Sequence, residues 1–106
     1  MTEISTVAVI IAKPGSGDDV EHALRALVEA THTEDGCLHY SLHRGLQDSN
    51  VFFTVEKWRA QGDLDAHLAS PHVAAAFAAA GALLAAPPNI MPAAPMTAGD
   101  PAKGVF

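Results

Sequence analysis

Three residues whose side chains can do chemistry lie in the stretch Val51 to His72. Glu56 and Trp58 are two residues apart at the end of an apolar run, so they share one face of a strand. His67 follows as the one polar member of a leucine-rich helical stripe. Because an imidazole has an ordinary pKa of about 6.5, such a histidine can exchange a proton near neutral pH. We expect a site here, between a sheet and its covering helices.

The elements that position these residues follow from hydrophobic periodicity and from turn residues. Strand-like runs occupy Thr6–Ala12, Cys37–Arg44, Val51–Trp58 and Asn89–Thr97. Helical stripes run from Ser16 to a stop at Gly36, through His67, and from Ser70-Pro71 through Leu84 to a stop at Pro87-Pro88. The βαββαβ order predicts an α+β, ferredoxin-like fold, an antiparallel sheet with the helices on one face. Prolines in the last strand confine it to a sheet edge or a bulge.

The second strand carries two candidate metal ligands. Alternation puts Leu38, Tyr40 and Leu42 on one face and Cys37, His39, Ser41 and His43 on the other. His67 or His72 could be added to His39 and His43 to complete a ligand set. Four residues of strand span about 13 Å, too far for one ion, so we predict no metal site from this pair.

The apolar pattern of the sheet predicts a partner. The first and third strands are apolar at both alternating sets of positions, whereas the helices cover one face of the sheet. The other face would expose a large hydrophobic patch, which soluble monomers rarely do. We therefore expect a second copy of the chain to stack sheet against sheet in a symmetric homodimer.

Composition bounds the class of protein. The chain has 106 residues, 49% of them hydrophobic and 17% charged, which is enough for one packed domain. We expect this domain to span residues 1–97 and to be followed by a flexible tail at 98–106. A net charge of −6 with scattered basic residues argues against a nucleic-acid surface.

Cysteine content and hydropathy suggest a compartment. Cys37 is the single cysteine, so no internal disulfide is possible and a reducing cytoplasm is expected. We find no signal-peptide pattern at the N-terminus. The longest apolar segment, Ala74–Ala86, is shorter than the roughly 18 residues of a membrane span, so we expect no membrane association.

Four segments together carry a family resemblance. They are Lys13-Pro14-Gly15, Glu34 to Tyr40, Val55 to Trp58, and Leu64 to His72. In this order and spacing, over residues 5 to 91, the chain resembles the antibiotic biosynthesis monooxygenase (ABM) family, in particular its quinol-monooxygenase-like members. The resemblance implies a dimeric α+β barrel with one pocket per subunit. It further implies oxidation of a quinol-like or polyketide aromatic substrate by O2 without a cofactor.

The resemblance also implies roles for particular residues. His67, Trp58 and Tyr40 match family site positions and are the catalytic candidates, with His67 as the base. Several family members carry an asparagine on the first strand, but Thr6–Ala12 has no amide. This departure weakens the haem-degrading interpretation and any direct copy of the polyketide-oxidising site.

Further residues are candidates for substrate contact. Oxygenation without a cofactor needs a base, a slot that holds the ring, and exclusion of water. Phe52 and Phe77 could line a flat apolar slot with Trp58 and Tyr40, and Glu56 could orient a histidine or a substrate hydroxyl. His39 and His72 complete the set of substrate-binding candidates.

Each assignment has a structural alternative. His67 could be a core-edge histidine bonded to a backbone carbonyl, and Trp58 could serve only in packing. Glu56 could pair with Arg44 or Lys57 at the end of its strand. Cys37 is expected to be a small buried residue and not a nucleophile.

Three other functions compete with the monooxygenase hypothesis. A non-catalytic dimeric module of the same fold would use the pocket to bind a small apolar ligand. A haem-binding or haem-degrading protein would show a Soret band with haemin. An interaction domain that only dimerises would have no closed pocket.

Overall fold

A computed structural model of the chain describes residues 2–105. Its elements, in order, are β1 (Ile4–Ile11), α1 (Gly17–Thr31), β2 (Cys37–Arg44), β3 (Val51–Trp58), α2 (Gln61–Leu68), α3 (Pro71–Ala80), a short 3₁₀ helix (Gly81–Leu83) and β4 (Asn89–Ala93). Met1 and Phe106, the outer ends of the predicted domain (1–97) and tail (98–106), lie outside the described residues.

The four strands form one antiparallel sheet in the order β2-β3-β1-β4. This order, with the helices on one face, confirms the predicted α+β ferredoxin-like fold. β4 is an edge strand, as its prolines predicted, and Pro92 lies opposite Thr6.

One face of the sheet packs against the helices, and we call it the covered face. β1 contributes Thr6, Ala8 and Ile10 to it, and β3 contributes Phe52, Thr54, Glu56 and Trp58; all are buried. Ala8, Ile10 and Phe52 pack against Val20 and Leu24 of α1 and Ala80 of α3. A second cluster joins Tyr40 and Trp58 to Leu64 of α2.

The opposite face, which we call the open face, is not covered by any of the helices formed within residues 2–105. Val7 and Ile11 of β1 are 36% and 40% exposed, and Met91 of β4 is 44% exposed. Val9, Phe53 and Val55 lie beside them in the strand register and are half-buried. The two apolar faces predicted for β1 and β3 are therefore present, and the chain itself covers one of them.

The first helix is shorter than predicted. It ends at Thr31, not at Gly36, because Thr33 Oγ1 bonds the Ala30 carbonyl and successive tight turns follow. Gly36 serves another purpose, since a Cβ there would collide with the side chain of Asp63 in α2. This glycine lets α2 approach the start of β2 closely.

A β-bulge corrects the predicted faces of β2. The register with β3 shifts between Cys37 and His39, which places Cys37 opposite Trp58 on the covered face. Leu38 was predicted to lie on the same face as Tyr40, but its side chain is half-exposed whereas that of Tyr40 is buried. From His39 onward the predicted alternation holds, with Tyr40 on the covered face and His43 on the open face.

The junction between α2 and α3 follows the sequence signal. Ser70 Oγ accepts the Val73 N–H, and Pro71 occupies the first helical position of α3. The helix ends earlier than predicted, at Ala80, because the chain tightens into the 3₁₀ helix and Leu84 then bridges to Ala12 as extended backbone. β4 likewise ends at Ala93, not at Thr97.

The helices are short relative to a bilayer. Among residues 2–105, no single helix has both the length and the apolar composition of a membrane span. The length and composition of a span are reached only by two helical segments taken together, Gln61–Leu68 and Pro71–Leu83. This pair is bent by 47° at the break between them.

Candidate functional site

A cavity lies between the covered face of the sheet and the helices. The cavity encloses about 60 Å³ and opens to solvent at its mouth. Most of its wall is apolar and includes Ala8, Ile10, Val20, Leu24, Val73 and Phe77. Three polar residues also line it: Tyr40, Glu56 and His67. An apolar cleft with a few polar groups is the usual form of a small-molecule site.

Glu56 is held by its own strand. Its Oε2 accepts the Thr54 hydroxyl at 2.6 Å, and its Oε1 accepts the Trp58 indole N–H at 2.9 Å. The suggested pairing with Arg44 or Lys57 is wrong, because Arg44 bonds Asp18 and Glu21 and Lys57 bonds Glu3. These bonds fix the carboxylate and the indole relative to each other, as their two-residue spacing suggested.

His67 is buried in the last turn of α2. The Trp58 ring lies 4.6 Å from its ring, centroid to centroid, and the Tyr40 ring lies 5.4 Å away. Its Nδ1 lies 2.7 Å from Oε2 of Glu34. The alternative of a bond to a backbone carbonyl is therefore wrong, since a carboxylate occupies that position. Among residues 2–105, none hydrogen-bonds the other ring nitrogen, Nε2.

Glu34 is a site residue that was not among the predicted candidates. It lies in the turn before β2, and the same Oε2 that contacts His67 is 2.8 Å from Nε2 of His72. The partners are 33 and 38 positions away along the chain. Glu34 does belong to the Glu34–Tyr40 segment that carries the family resemblance. That membership was the signal in the sequence that could have identified it as a site residue.

Tyr40 lies on the covered face beside these groups. Its ring meets Trp58 edge-on at 6.2 Å. Burial, and then the nearby Glu56 carboxylate, raise the pKa of the Tyr40 phenol well above its usual value. The hydroxyl is therefore neutral at physiological pH and can act as a hydrogen-bond donor, but not as a base.

The other predicted site residues fall in different places. Phe77 lines the cavity mouth. Trp58 is fully buried behind His67, and Phe52 is fully buried in the core with Arg44 over its ring. His72 reaches the site through Glu34, whereas His39 is exposed on the open face. The fold thus brings together His67, Trp58, Tyr40, Glu56, Phe77 and His72.

Among residues 2–105, one group of three residues has donor atoms that could hold a metal ion, and the histidine pair of β2 is not part of it. His39 and His43 both bond Ser41 Oγ at 2.9 Å, so their side chains lean together more than strand spacing predicted. Glu34, His67 and His72 each offer one donor atom, and these atoms lie within 4.8 Å of one another. This three-residue set could hold a divalent ion, and it was not among the predicted ligand sets.

Cys37 is half-buried at the bulge of β2. Burial, and then the carboxylates of Glu34 and Glu56, raise the pKa of its thiol. A raised thiol pKa lowers the thiolate fraction at neutral pH, which supports a packing role over a nucleophilic one.

Comparison with known proteins agrees with this arrangement. Residues 4–79 match the family model for the antibiotic biosynthesis monooxygenase domain. A Mycobacterium tuberculosis protein named "Putative monooxygenase Rv0793" is 33% identical over 97 residues, which cover 88% of this chain and 95% of that protein. A Bacillus subtilis protein named "Putative monooxygenase YcnE" is 26% identical and covers 79% of this chain and 88% of its own length.

A solved structure has the same architecture. The crystal structure of PA3566 from Pseudomonas aeruginosa superposes with a TM-score of 0.85 and 33% identity. The alignment covers 92% of this chain and 97% of that one. Given the match to the family model and a relative above 30% identity over most of its length, this chain belongs to the antibiotic biosynthesis monooxygenase family.

Proposed function

We propose that the protein is a cofactor-independent monooxygenase that oxidises a quinol-like or polyketide aromatic substrate with O2. One observation carries the proposal: a buried histidine, His67, lines an apolar cavity and has one ring nitrogen held by a carboxylate. The other nitrogen, Nε2, then serves as the base that takes a phenolic proton from the substrate.

The proposed chemistry needs no electron source beyond the substrate. Loss of the phenolic proton to His67 gives an electron-rich phenolate that can reduce O2. For a simple hydroquinone, one hydroquinone and one O2 give one hydroxybenzoquinone and one water. One oxygen atom enters the ring, the other leaves as water, and the substrate supplies all the electrons.

The remaining site residues hold the ring and exclude water. Phe77 and the aliphatic wall contact the faces of the substrate, and the neutral Tyr40 hydroxyl donates to a substrate oxygen. Glu56 accepts a substrate hydroxyl at the same end of the cavity. Trp58 does not line the cavity and instead packs behind His67 and holds the Glu56 carboxylate.

A non-catalytic ligand-binding module is the second candidate. One observation favours it: the covered face of β1 presents Thr6, Ala8 and Ile10, with no amide where several family members carry one. Such a protein would bind the same aromatic compounds in the same cavity without consuming oxygen.

We also propose that the protein works as a homodimer joined through the open face. Half-exposed Val7, Ile11 and Met91 lie on adjacent strands there, and burying them against a second copy removes an apolar patch from water. The single cysteine is compatible with a cytoplasmic location, which cell fractionation would test.

Oxygen consumption by the metal-free protein tests the function. A panel of hydroquinones is supplied in buffer with a chelator, and wild type is compared with His67→Ala. Because a general base contributes about 10²–10⁴-fold, we expect uptake to fall by about that factor in the variant.

The matched control is His22→Ala, which removes an exposed imidazole from α1 and should leave uptake unchanged. Full uptake by His67→Ala would remove this residue as the base. Saturable binding of the hydroquinones to wild type with no uptake would favour the binding module.

A further inference from the structure

We infer that Glu34 is a positioning residue that fixes His67 in the tautomer with its proton on Nδ1, and that His72 anchors Glu34 in that role. The inference rests on the proposed function for its catalytic meaning. Its structural content, which nitrogen of His67 carries the proton, can be measured without any substrate.

The hydrogen-bond chemistry of the cluster dictates the tautomer. A carboxylate oxygen only accepts, so Nδ1 of His67 and Nε2 of His72 must both carry protons to bond Oε2 of Glu34, at 2.7 Å and 2.8 Å. In a neutral ring, a proton on Nδ1 leaves Nε2 with a free lone pair. His67 therefore enters the proposed reaction with Nε2, the nitrogen assigned as the base, ready to accept a proton.

Three separate parts of the fold hold the cluster together. Glu34 comes from the turn before β2, His67 from the last turn of α2 and His72 from the first turn of α3. Ser70 fixes the helix junction between the two histidines, because its hydroxyl donates to the His67 carbonyl at 2.6 Å and accepts the Val73 N–H. The orientation of His67 is thus set by packing and by bonds on both sides of it.

The charged groups around His67 also suit a base that becomes a cation. Within residues 2–105, the ion-pair partners of Glu34 are the two histidines, and neither lysine nor arginine is among them. When His67 takes a proton at Nε2, its imidazolium is directly beside the Glu34 carboxylate. That attraction stabilises the charge that the reaction creates. The side chains of His67, Glu34 and His72 are 4%, 17% and 23% exposed, so the contact is largely shielded from solvent.

Nitrogen-15 NMR of the histidine rings tests the inference in the substrate-free protein. Wild-type His67 should show a protonated Nδ1 and an unprotonated Nε2 at a pH where the ring is neutral. Glu34→Gln keeps the shape of the side chain but offers one carbonyl oxygen and an NH2 group. We expect the Nε2–H tautomer to become populated in this variant.

Kinetics of active wild type supply the second readout. Loss of tautomer control should lower kcat by about 10-fold or more with little change in KM, because the substrate still binds. Glu29→Gln, which neutralises an exposed carboxylate on α1, is the matched control and should change neither readout. His72→Ala removes only the second donor to Glu34 and should give a smaller kcat loss than Glu34→Gln. It also serves as the test variant if Glu34→Gln does not fold.

Three experimental outcomes distinguish the possible roles of Glu34. An unchanged tautomer in Glu34→Gln, or no tautomer effect from either variant, would mean that Glu34 only fastens the turn to the helices. One equivalent of transition metal in purified wild type, lost in Glu34→Gln, would make the cluster a metal site and overturn the inference. A fixed wild-type tautomer that is lost in Glu34→Gln, but with no oxygen uptake, would count against the proposed function and still support the role of Glu34.

Discussion

The covered and open faces of the sheet are built from alternate residues of the same strands, yet they meet different surroundings. On β3, Phe52, Thr54, Glu56 and Trp58 are buried under the helices, whereas Val51, Phe53 and Val55 on the other side are only half-buried. The covered face contains a buried carboxylate and the wall of the cavity. The open face is mainly aliphatic and aromatic, with histidines at its edge.

This difference shows how one sheet can serve two purposes. The carboxylate of the covered face and the histidine above it are satisfied by neighbouring side chains, Glu56 by Thr54 and Trp58 and His67 by Glu34. The buried Thr6 hydroxyl on the same face has no hydrogen-bond partner among residues 2–105. On the open face the polar side chains lie along β2 and towards the strand ends, and the apolar side chains at its centre gain most by being covered. We therefore propose chemistry on the first face and association with a second copy on the other.

The largest expected effect is a loss of stability that differs between two adjacent phenylalanines, Phe52 on the covered face and Phe53 on the open face. Phe52→Ala removes a fully buried ring and should lower the free energy of unfolding by about 3–5 kcal/mol. Phe53→Ala removes a half-buried ring stacked on His43 and should cost about 1–2 kcal/mol in the monomer. Urea denaturation at two protein concentrations measures both losses.

The dependence of these stability losses on protein concentration is a second way to distinguish the two faces. If the open face is an interface, the loss from Phe53→Ala should depend on protein concentration, because dimer stability does. Equal losses from both variants, independent of concentration, would contradict the contrast between the faces.

A charge in the open face should break the proposed dimer. Val9→Asp places a carboxylate on β1, one of the two inner strands of that face, where a second copy would desolvate it without a partner. We expect the dimer dissociation constant to rise by about 100-fold or more, or about 3 kcal/mol. Analytical ultracentrifugation over a concentration series measures this constant.

The matched control for that experiment is Leu46→Asp, which places the same charge at a fully exposed loop position. It should leave association unchanged. A wild-type protein that sediments as a monomer at micromolar concentration would remove the interface altogether.

Periodicity and turn signals were sufficient to predict most of the fold. The strand β2 was predicted at its observed bounds, and Ser70-Pro71 correctly predicted the start of α3. Helix ends were less predictable: α1 stops at Thr31 because local turns satisfy its last carbonyls, while Gly36 is needed for a close approach to Asp63. The bulge at Cys37 has no local sequence signal and reversed one predicted face.

The site was predictable only where its residues are neighbours along the chain. The contact of Glu56 with Trp58 follows from strand spacing, and His67 follows from its place in an apolar helical stripe. The partner of His67 could not be predicted in this way, because Glu34 contacts His67 only after α2 and α3 pack beside the turn before β2. Hydrogen bonds between distant segments depend on that packing, which sequence periodicity does not encode.

The smallest expected effect concerns the polar group on the covered face. Glu56→Leu leaves the Trp58 N–H and the Thr54 hydroxyl without their acceptor and should destabilise the protein by about 2–3 kcal/mol. Glu56→Gln should cost only about 1 kcal/mol, because its carbonyl can accept from Trp58 while the Thr54 hydroxyl turns to accept from its NH2 group. Fluorescence of Trp58, the single tryptophan, reports unfolding in both variants.

A stabilising Glu56→Leu substitution would reverse this argument. Both groups that donate to the carboxylate are neutral, so its burial has a desolvation cost that the two hydrogen bonds must offset. If the leucine variant unfolds at higher urea than wild type, the carboxylate lowers stability. Its presence on the covered face would then need a functional reason, and the cavity that it lines is where we would look for that reason.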